Sequence, residues 1–182
     1  MPSAVALLRA VNVGGANRLA MLDVRRVLEQ AGLSEVKTLL QSGNVVFESR
    51  MRSKASERLI RTALREQCGV NVDVFVRSAS EWGGIVAGNP FVSESRRDPG
   101  RVVVMLLASP PGAAAAGRLL AALPGREKVA IDGSHGYLVY PDGIGDSRLT
   151  SSVIERALQT RGTARNWNTV VKLAALLNPA DS

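Results

Sequence analysis

Four polar segments interrupt the apolar runs of this chain, and each has a structural and a functional reading. The first runs Arg9-Ala10-Val11-Asn12-Val13-Gly14-Gly15. Arg9 shares a strand face with Val5, Leu7 and Val11, where a guanidinium must be paired or stand at an opening. It is either a structural arginine bonded to loop carbonyls or a carboxylate, or an anion contact at the end of the strand. Gly14 and Gly15, following Asn12, either turn the chain or offer backbone N–H groups to a phosphate. Their spacing matches neither the dinucleotide nor the P-loop fingerprint. In the second segment, Gln41-Ser42-Gly43-Asn44, a tight turn requires Gly43 and makes use of Asn44, but not Gln41 or Ser42. Those two either tie down a neighbouring loop or hydrogen-bond a ligand.

The third segment, Pro141-Asp142-Gly143-Ile144-Gly145-Asp146-Ser147, leads into a helix. Ser147 or Thr150 is its candidate N-cap. Gly145, Ser147 and Arg148 would suit an anion there. Asp142 and Asp146 oppose that unless they hold a cation, and the spacing of a calcium loop is missing. The fourth, Arg165-Asn166-Trp167-Asn168-Thr169, offers a charge, amide hydrogen bonds and a stacking face. It is equally the start of a helix, with Asn166 or Asn168 as the cap and Trp167 packed on Val170, Val171 and Ala174.

The rarest side chains exclude most familiar chemistry. The chain has one histidine, His135, and one cysteine, Cys68. A structural zinc finger or a His-rich catalytic zinc site therefore has too few ligands, and no metal site is expected. An internal disulfide is impossible, and a lone cysteine fits a reducing compartment. A Ser-His-Asp or Cys-His arrangement must use His135. It lies in Asp132-Gly133-Ser134-His135-Gly136, read here as a solvent-exposed hairpin turn. Among the polar segments only Asp142, Asp146 and Tyr140 are candidates for acid–base work. No cofactor is indicated.

These segments need a framework. The chain has 182 residues, 46% hydrophobic and 21% charged, which suits one globular domain or two small ones. Net charge is +7, with 23 basic and 16 acidic residues. Residues 1–78 carry 12 basic and 7 acidic groups, and 79–182 carry 11 and 9, so most of the excess lies in the first half. The N-terminal segment is not a signal peptide, because Arg9 cuts the apolar run short. No apolar run reaches the roughly 18 residues of a membrane span. A cytoplasmic protein is expected.

Residues 4–11 read as a buried strand, and Met21, Val24, Val27, Leu28 and Ala31 as one helix face. Strands follow at 35–40 and 44–48, joined by a tight turn at 41–44. A helix from Ser53 to Gly69 and an alternating strand over 71–77 complete β-α-β-β-α-β, the ferredoxin-like order. The second half reads as a degenerate copy. It has a short helix at 80–87, a polar surface loop at 93–100, and an apolar strand at 101–108. A helix over 113–123 and a hairpin over 128–140 follow. It ends on two helices, about 150–160 and 167–177, with no clear final strand. The expected fold is thus α+β with two ferredoxin-like halves, 1–78 and 79–182, packed together.

The segments Leu7–Gly15, Gln41–Phe47, Tyr140–Gly145 and Thr163–Thr169, with Asn89-Pro90-Phe91, resemble the bacterial family called domain of unknown function 1697. The resemblance spans nearly the whole chain and implies two related α+β halves, but no mechanism. The family has a basic residue after its Gly-Gly turn, as in Gly-Lys-Asn, where this chain has Ala16 before Asn17.

The leading expectation is a binding module for a small anionic ligand or a nucleotide. Its site would draw on Arg9, Asn12, Gly14, Gly15, Gln41, Ser42, Asn44, Arg165, Asn166, Trp167 and Asn168. Nucleic-acid binding without sequence reading is an alternative, but only seven aromatics are present and none forms an RNA-stacking motif. An enzyme of unknown reaction is another. A monomer or a homodimer paired at sheet edges fits the framework.

Overall fold

The computed structural model describes residues 1–13 and 18–177. Two compact units divide the chain. The first holds Met1–Gly84 and, from the C-terminal helix, Leu173–Leu177; the second holds Ile85–Lys172.

In the first unit the order is β1 (Ser3–Leu8), α1 (Met21–Gln30), β2 (Ser34–Leu39), β3 (Asn44–Glu48), α2 (Ser53–Cys68) and β4 (Val74–Ser78). The sheet order is β2-β3-β1-β4, antiparallel throughout. Residues Val5 to Leu8 are buried on both faces of the sheet, which is why β1 shows no polar alternation. Helix α1 buries Met21, Val24, Val27 and Leu28, and α2 buries Ile60, Ala63 and Leu64. These pack on Ala6, Leu8, Val45, Phe47, Val74 and Val76. Each large apolar side chain so buried stabilises the fold by about 1.5–3 kcal/mol. An exposed ion pair such as Arg25–Glu29 contributes little by comparison, because water and salt screen it. The apolar core decides the fold.

The second unit repeats the topology. Helix α3 (Ala79–Ala87) crosses the boundary in sequence, and α4 (Val92–Arg97) and a 3-10 turn at Pro99–Arg101 follow. Then come β5 (Val102–Leu107), α5 (Ala113–Ala121), β6 (Lys128–Asp132), β7 (His135–Val139), α6 (Ser151–Leu158), β8 (Gly162–Asn166) and α7 (Trp167–Leu177). The sheet order is β6-β7-β5-β8, again antiparallel. Leu119, Ile154 and Leu158 pack on Val103, Met105, Leu107 and Leu138.

The two α+β halves agree with the sequence reading. The second, however, has a final strand where none was expected. β8 carries two very small residues and ends in Arg165-Asn166, so it lacks an apolar alternation. Its fit depends on that smallness. A side chain at Gly162 would come within 2.5 Å of Met105 Cε and 2.8 Å of the Leu106 carbonyl. The segment read as a surface loop at 93–100 holds all but the first residue of α4, too short to show a helical period. The connection expected as a tight turn at 41–44 is a four-residue loop, 40–43, and Asn44 is the first residue of β3.

The second face of each sheet is buried as well. Val5, Leu7, Val46 and Phe75 on one, and Val102, Val104, Leu106 and Tyr137 on the other, are at most 4% exposed. None of the seven aromatic residues is exposed.

The repeat extends to single hydrogen bonds. Leu8 N–H donates to the Gly43 carbonyl at 2.8 Å, and Leu107 N–H to the Ser134 carbonyl at 2.8 Å. Arg9 N–H donates to the Asp73 carbonyl at 2.9 Å, and Ala108 N–H to the Arg161 carbonyl at 2.8 Å. The first of these bonds brings Gly43 against β1. A Cβ on Gly43 would lie 2.5 Å from Val11 Cγ2 and 2.8 Å from Leu8 Cβ, and φ is +79°. Gly43→Ala is therefore expected to lose about 1–2 kcal/mol from the left-handed backbone and about 1–3 kcal/mol from overpacking. Gly69→Ala is the control, since φ is +68° there but nothing lies within 4 Å. Urea unfolding should place Gly43→Ala clearly below Gly69→Ala; equal midpoints would show that the close approach imposes no constraint.

Candidate functional site

Asn12 holds the loop end of the first unit together. Its φ of 55° is one that asparagine tolerates better than most residues. Its Nδ2 donates to the carbonyls of Leu19 and Gln41, each at 2.8 Å, and its Oδ1 accepts from Leu19 N–H at 2.8 Å. One side chain thus joins the approach to α1 and the 40–43 loop. Asn44 does similar work from within the sheet. It is fully buried, and its Nδ2 donates to the Leu39 carbonyl at 2.8 Å and to Ser42 Oγ at 2.9 Å. Gly14 and Gly15 lie outside the described residues.

A cavity of about 410 Å³ opens where these loops meet, lined by Asn12, Arg18, Leu19, Ala20 and Gln41. Arg18 is exposed and has no ion-pair partner among the described residues. The cavity also reaches the N-terminus of α1. Ala20 is the N-cap there and supplies no side-chain acceptor. Arg18 carried no signal in the sequence, because it stands three residues beyond the first polar segment.

Arg9 has a carboxylate beside it, with Asp73 Oδ2 at 3.6 Å from Nη1 and the arginine side chain 36% exposed. The strongly buried strand arginine is instead Arg77, in β4, which is 7% exposed. Burial lowers its pKa, while Glu81 and Glu57 act in the opposite direction. Its counterpart in the second unit is Arg165. Arg77 faces Val5 across the ladder and Arg165 faces Val104, the third residue of β1 and of β5. Each Nη1 donates to the carbonyl of the preceding residue at 2.8 Å. Arg165 also donates to Thr163 Oγ1 at 2.9 Å, and burial pulls its pKa down to about 10. The signal for Arg77 was present in the sequence. It alternates with Val72, Val74 and Val76, which puts it on the other face of the strand.

Asn166 caps α7, its Oδ1 accepting from Thr169 N–H at 3.1 Å. Trp167 is half-buried and Asn168 exposed. The expected site residues therefore form two groups. Arg9, Asn12, Gln41, Ser42 and Asn44 belong to the first unit, and Arg165 to Asn168 to the second.

In the 141–147 loop, Asp142 makes a two-point ion pair with Arg126. Ser147 Oγ donates to Glu127, and Thr150 caps α6 by accepting from Val153 N–H at 3.4 Å. Among the described residues no cluster of three His, Cys, Asp or Glu side chains could hold a metal. No helix among them is long and apolar enough to cross a membrane. His135 is not the exposed turn residue expected. The turn is Gly133-Ser134, and His135 opens β7 with its side chain 16% exposed. Its ring meets Tyr137 edge-on at 5.2 Å between centroids, and Nε2 lies 3.1 Å from the Tyr137 hydroxyl. A larger cavity in the second unit, about 520 Å³, is lined by seven charged side chains, of which only Asp142 lies in a polar segment.

A family model described as a protein of unknown function (DUF1697) matches residues 1–137. Two of the four motif segments lie beyond that stretch. No curated protein matches. The chain is similar in fold to the conserved bacterial protein SP0830 from Streptococcus pneumoniae, with a TM-score of 0.76 at 19% identity. The likeness covers 97% of this chain and 98% of that one.

The chain's two tyrosines are both poor acids here. Tyr140 donates to the Leu149 carbonyl at 3.0 Å, and Tyr137 to the Ile85 carbonyl at 2.7 Å. Burial pushes each up to about 12, helped by Glu127 beside Tyr140 and Asp132 beside Tyr137. A phenol with a raised folded pKa favours the folded chain fully below pH 10, and that contribution is lost as pH rises through 12. Arg165, lowered to about 10, works in the opposite sense over the same range. Phenolate absorbance is therefore the clean readout. Both tyrosines should titrate near pH 12 in the folded protein and near pH 10 in urea; folded-state titration near 10 would show both hydroxyls open to water.

Proposed function

Because the chain belongs to the DUF1697 family of proteins of unknown function, its activity must be read from its own geometry, and we propose that it binds a small anionic ligand, a nucleotide included, at the loop end of the first unit. The observation that carries this reading is the Arg18 guanidinium, unpaired among the described residues, in the cavity where α1 begins. The first N–H groups of a helix have no partner within it, and the macrodipole places partial positive charge there. With no capping side chain at Ala20, those groups stay available to a ligand. Asp23 in the first turn opposes an anion, but Arg26 stands 3.3 Å from it and offsets its charge. Gln41 supplies an exposed amide at the same cavity.

The volume suits a small metabolite rather than a polymer. Clamping of both walls by Asn12 supports the reading too, since a preformed site binds without the cost of ordering its loops. The lone Cys68 suits a reducing compartment, and we place the protein in the cytoplasm.

Titration of the full chain with citrate, followed by amide NMR, tests this. The amides of Leu19 to Leu22 and the side-chain amide of Gln41 should shift saturably. Arg18→Ala should weaken binding by about tenfold or more, the loss of one charge-assisted contact. Arg61→Ala removes the same charge from an exposed position on α2 and should leave binding nearly unchanged. If Arg18→Ala binds as tightly as the native chain, or no saturable shift occurs at these amides, the reading is wrong.

A further inference from the structure

We infer that the second unit carries an anion site of its own, a groove that takes the phosphate group of a phosphomonoester. The groove encloses about 520 Å³ between α4, the 3-10 turn, β6 and the chain that follows β7. Four cations line it, Arg97, Arg101, Arg126 and Lys128, against three carboxylates, Glu94, Asp98 and Asp142. Three pairs form: Arg101 Nε with Asp98 Oδ2 at 2.9 Å, Lys128 Nζ with Glu94 Oε1 at 2.7 Å, and Arg126 with Asp142. The cation left over is Arg97, which has no carboxylate partner among the described residues. Its field still reaches Glu94, where it helps Lys128 hold the carboxyl below the usual range.

The paired arginines are held in place without using all their donors. Arg101 gives Nε to Asp98 and Nη1 to the Pro141 carbonyl, which leaves Nη2. Arg126 gives Nε and Nη2 to Asp142, which leaves Nη1. A guanidinium fixed by a carboxylate loses less side-chain freedom on meeting a ligand than a free one does. Free donors thus come from three segments: Arg97 from α4, Arg101 from the 3-10 turn, and Arg126 from just before β6. A terminal phosphate presents three oxygens in three directions and can accept from all of them, whereas a planar carboxylate presents two. Val139 and Pro141 add an apolar wall for the organic part of the ester.

Inorganic phosphate titrated into the full chain tests this, with the amides of residues 94–101 and 126–142 as the NMR readout. The expected result is saturable shifts there, with affinity about tenfold lower in Arg97→Ala. Arg96→Ala is the matched control. It removes one positive charge from the next residue of the same helix, exposed but outside the groove, and should change affinity less than about twofold. Equal weakening by the two substitutions would reduce the effect to net charge and overturn the site. Equal shifts with acetate at the same concentration would overturn the phosphate class. No saturable shift with phosphate would overturn the proposal outright. The probe residues are separate from those of the first-unit cavity, so either site can fail while the other stands.

Discussion

The exit of the central strand is the constraint on which each half depends. As the chain leaves β1, one N–H must meet the loop of the β2–β3 hairpin and the next must meet the segment before β4. An unpaired buried N–H costs about 1–3 kcal/mol, so the buried first donor fixes the hairpin, and the next donor ties in the strand's other neighbour. The hairpin loop can approach closely enough only if its residue 43 has no side chain. Ordering that loop then brings Asn44 into the sheet, where its amide closes the loop on Leu39 and Ser42. Asn12 closes the other side. In the second unit the same pair of bonds leaves Leu107 and Ala108, with Ser134 and Arg161 as acceptors.

Much of this was legible in the sequence, and the misses have physical causes. The β-α-β-β-α-β order is written in periodicity, because helices and strands that bury one face must repeat at 3.6 or at 2. β8 escaped that logic. It is admitted to its sheet by the smallness of Gly162, not by apolar alternation. α4 escaped because six residues are less than two helical turns. Arg77 escaped because alternation identifies two faces and not which of them meets water, and here both are buried. The 41–44 motif was visible as unusual, and two of its polar side chains, Ser42 and Asn44, bond to each other within the loop.

The charge balance also changes meaning once placed in space. A net +7 suggests polyanions in general. Base stacking, however, needs an exposed ring, and all seven aromatics are buried or half-buried. Two of the positive charges, Arg77 and Arg165, stand on strands whose faces are covered. Desolvation makes them expensive, which is why both lose basicity. Each satisfies part of that demand by folding back onto the carbonyl of the residue before it. Their matched positions in the two ladders make them a feature of the repeat and not an accident of one half.

What remains for ligands follows from what the fold has already used. Asn12, Asn44 and Ser42 close loops, and Asn166 caps a helix. Asp142 holds Arg126, and Asp73 stands beside Arg9. Arg18 and Arg97 have no such role: both are exposed, both border a cavity, and neither has a carboxylate partner among the described residues. A donor already used in a structural contact must break that contact before it can hold a ligand, and so binds more weakly by the strength of the contact broken. Donors left over on a paired arginine, and all those of an unpaired one, carry no such cost. In the first-unit cavity the motif residues Asn12 and Gln41 form part of the wall, and in both cavities arginines outside the motifs supply the charge.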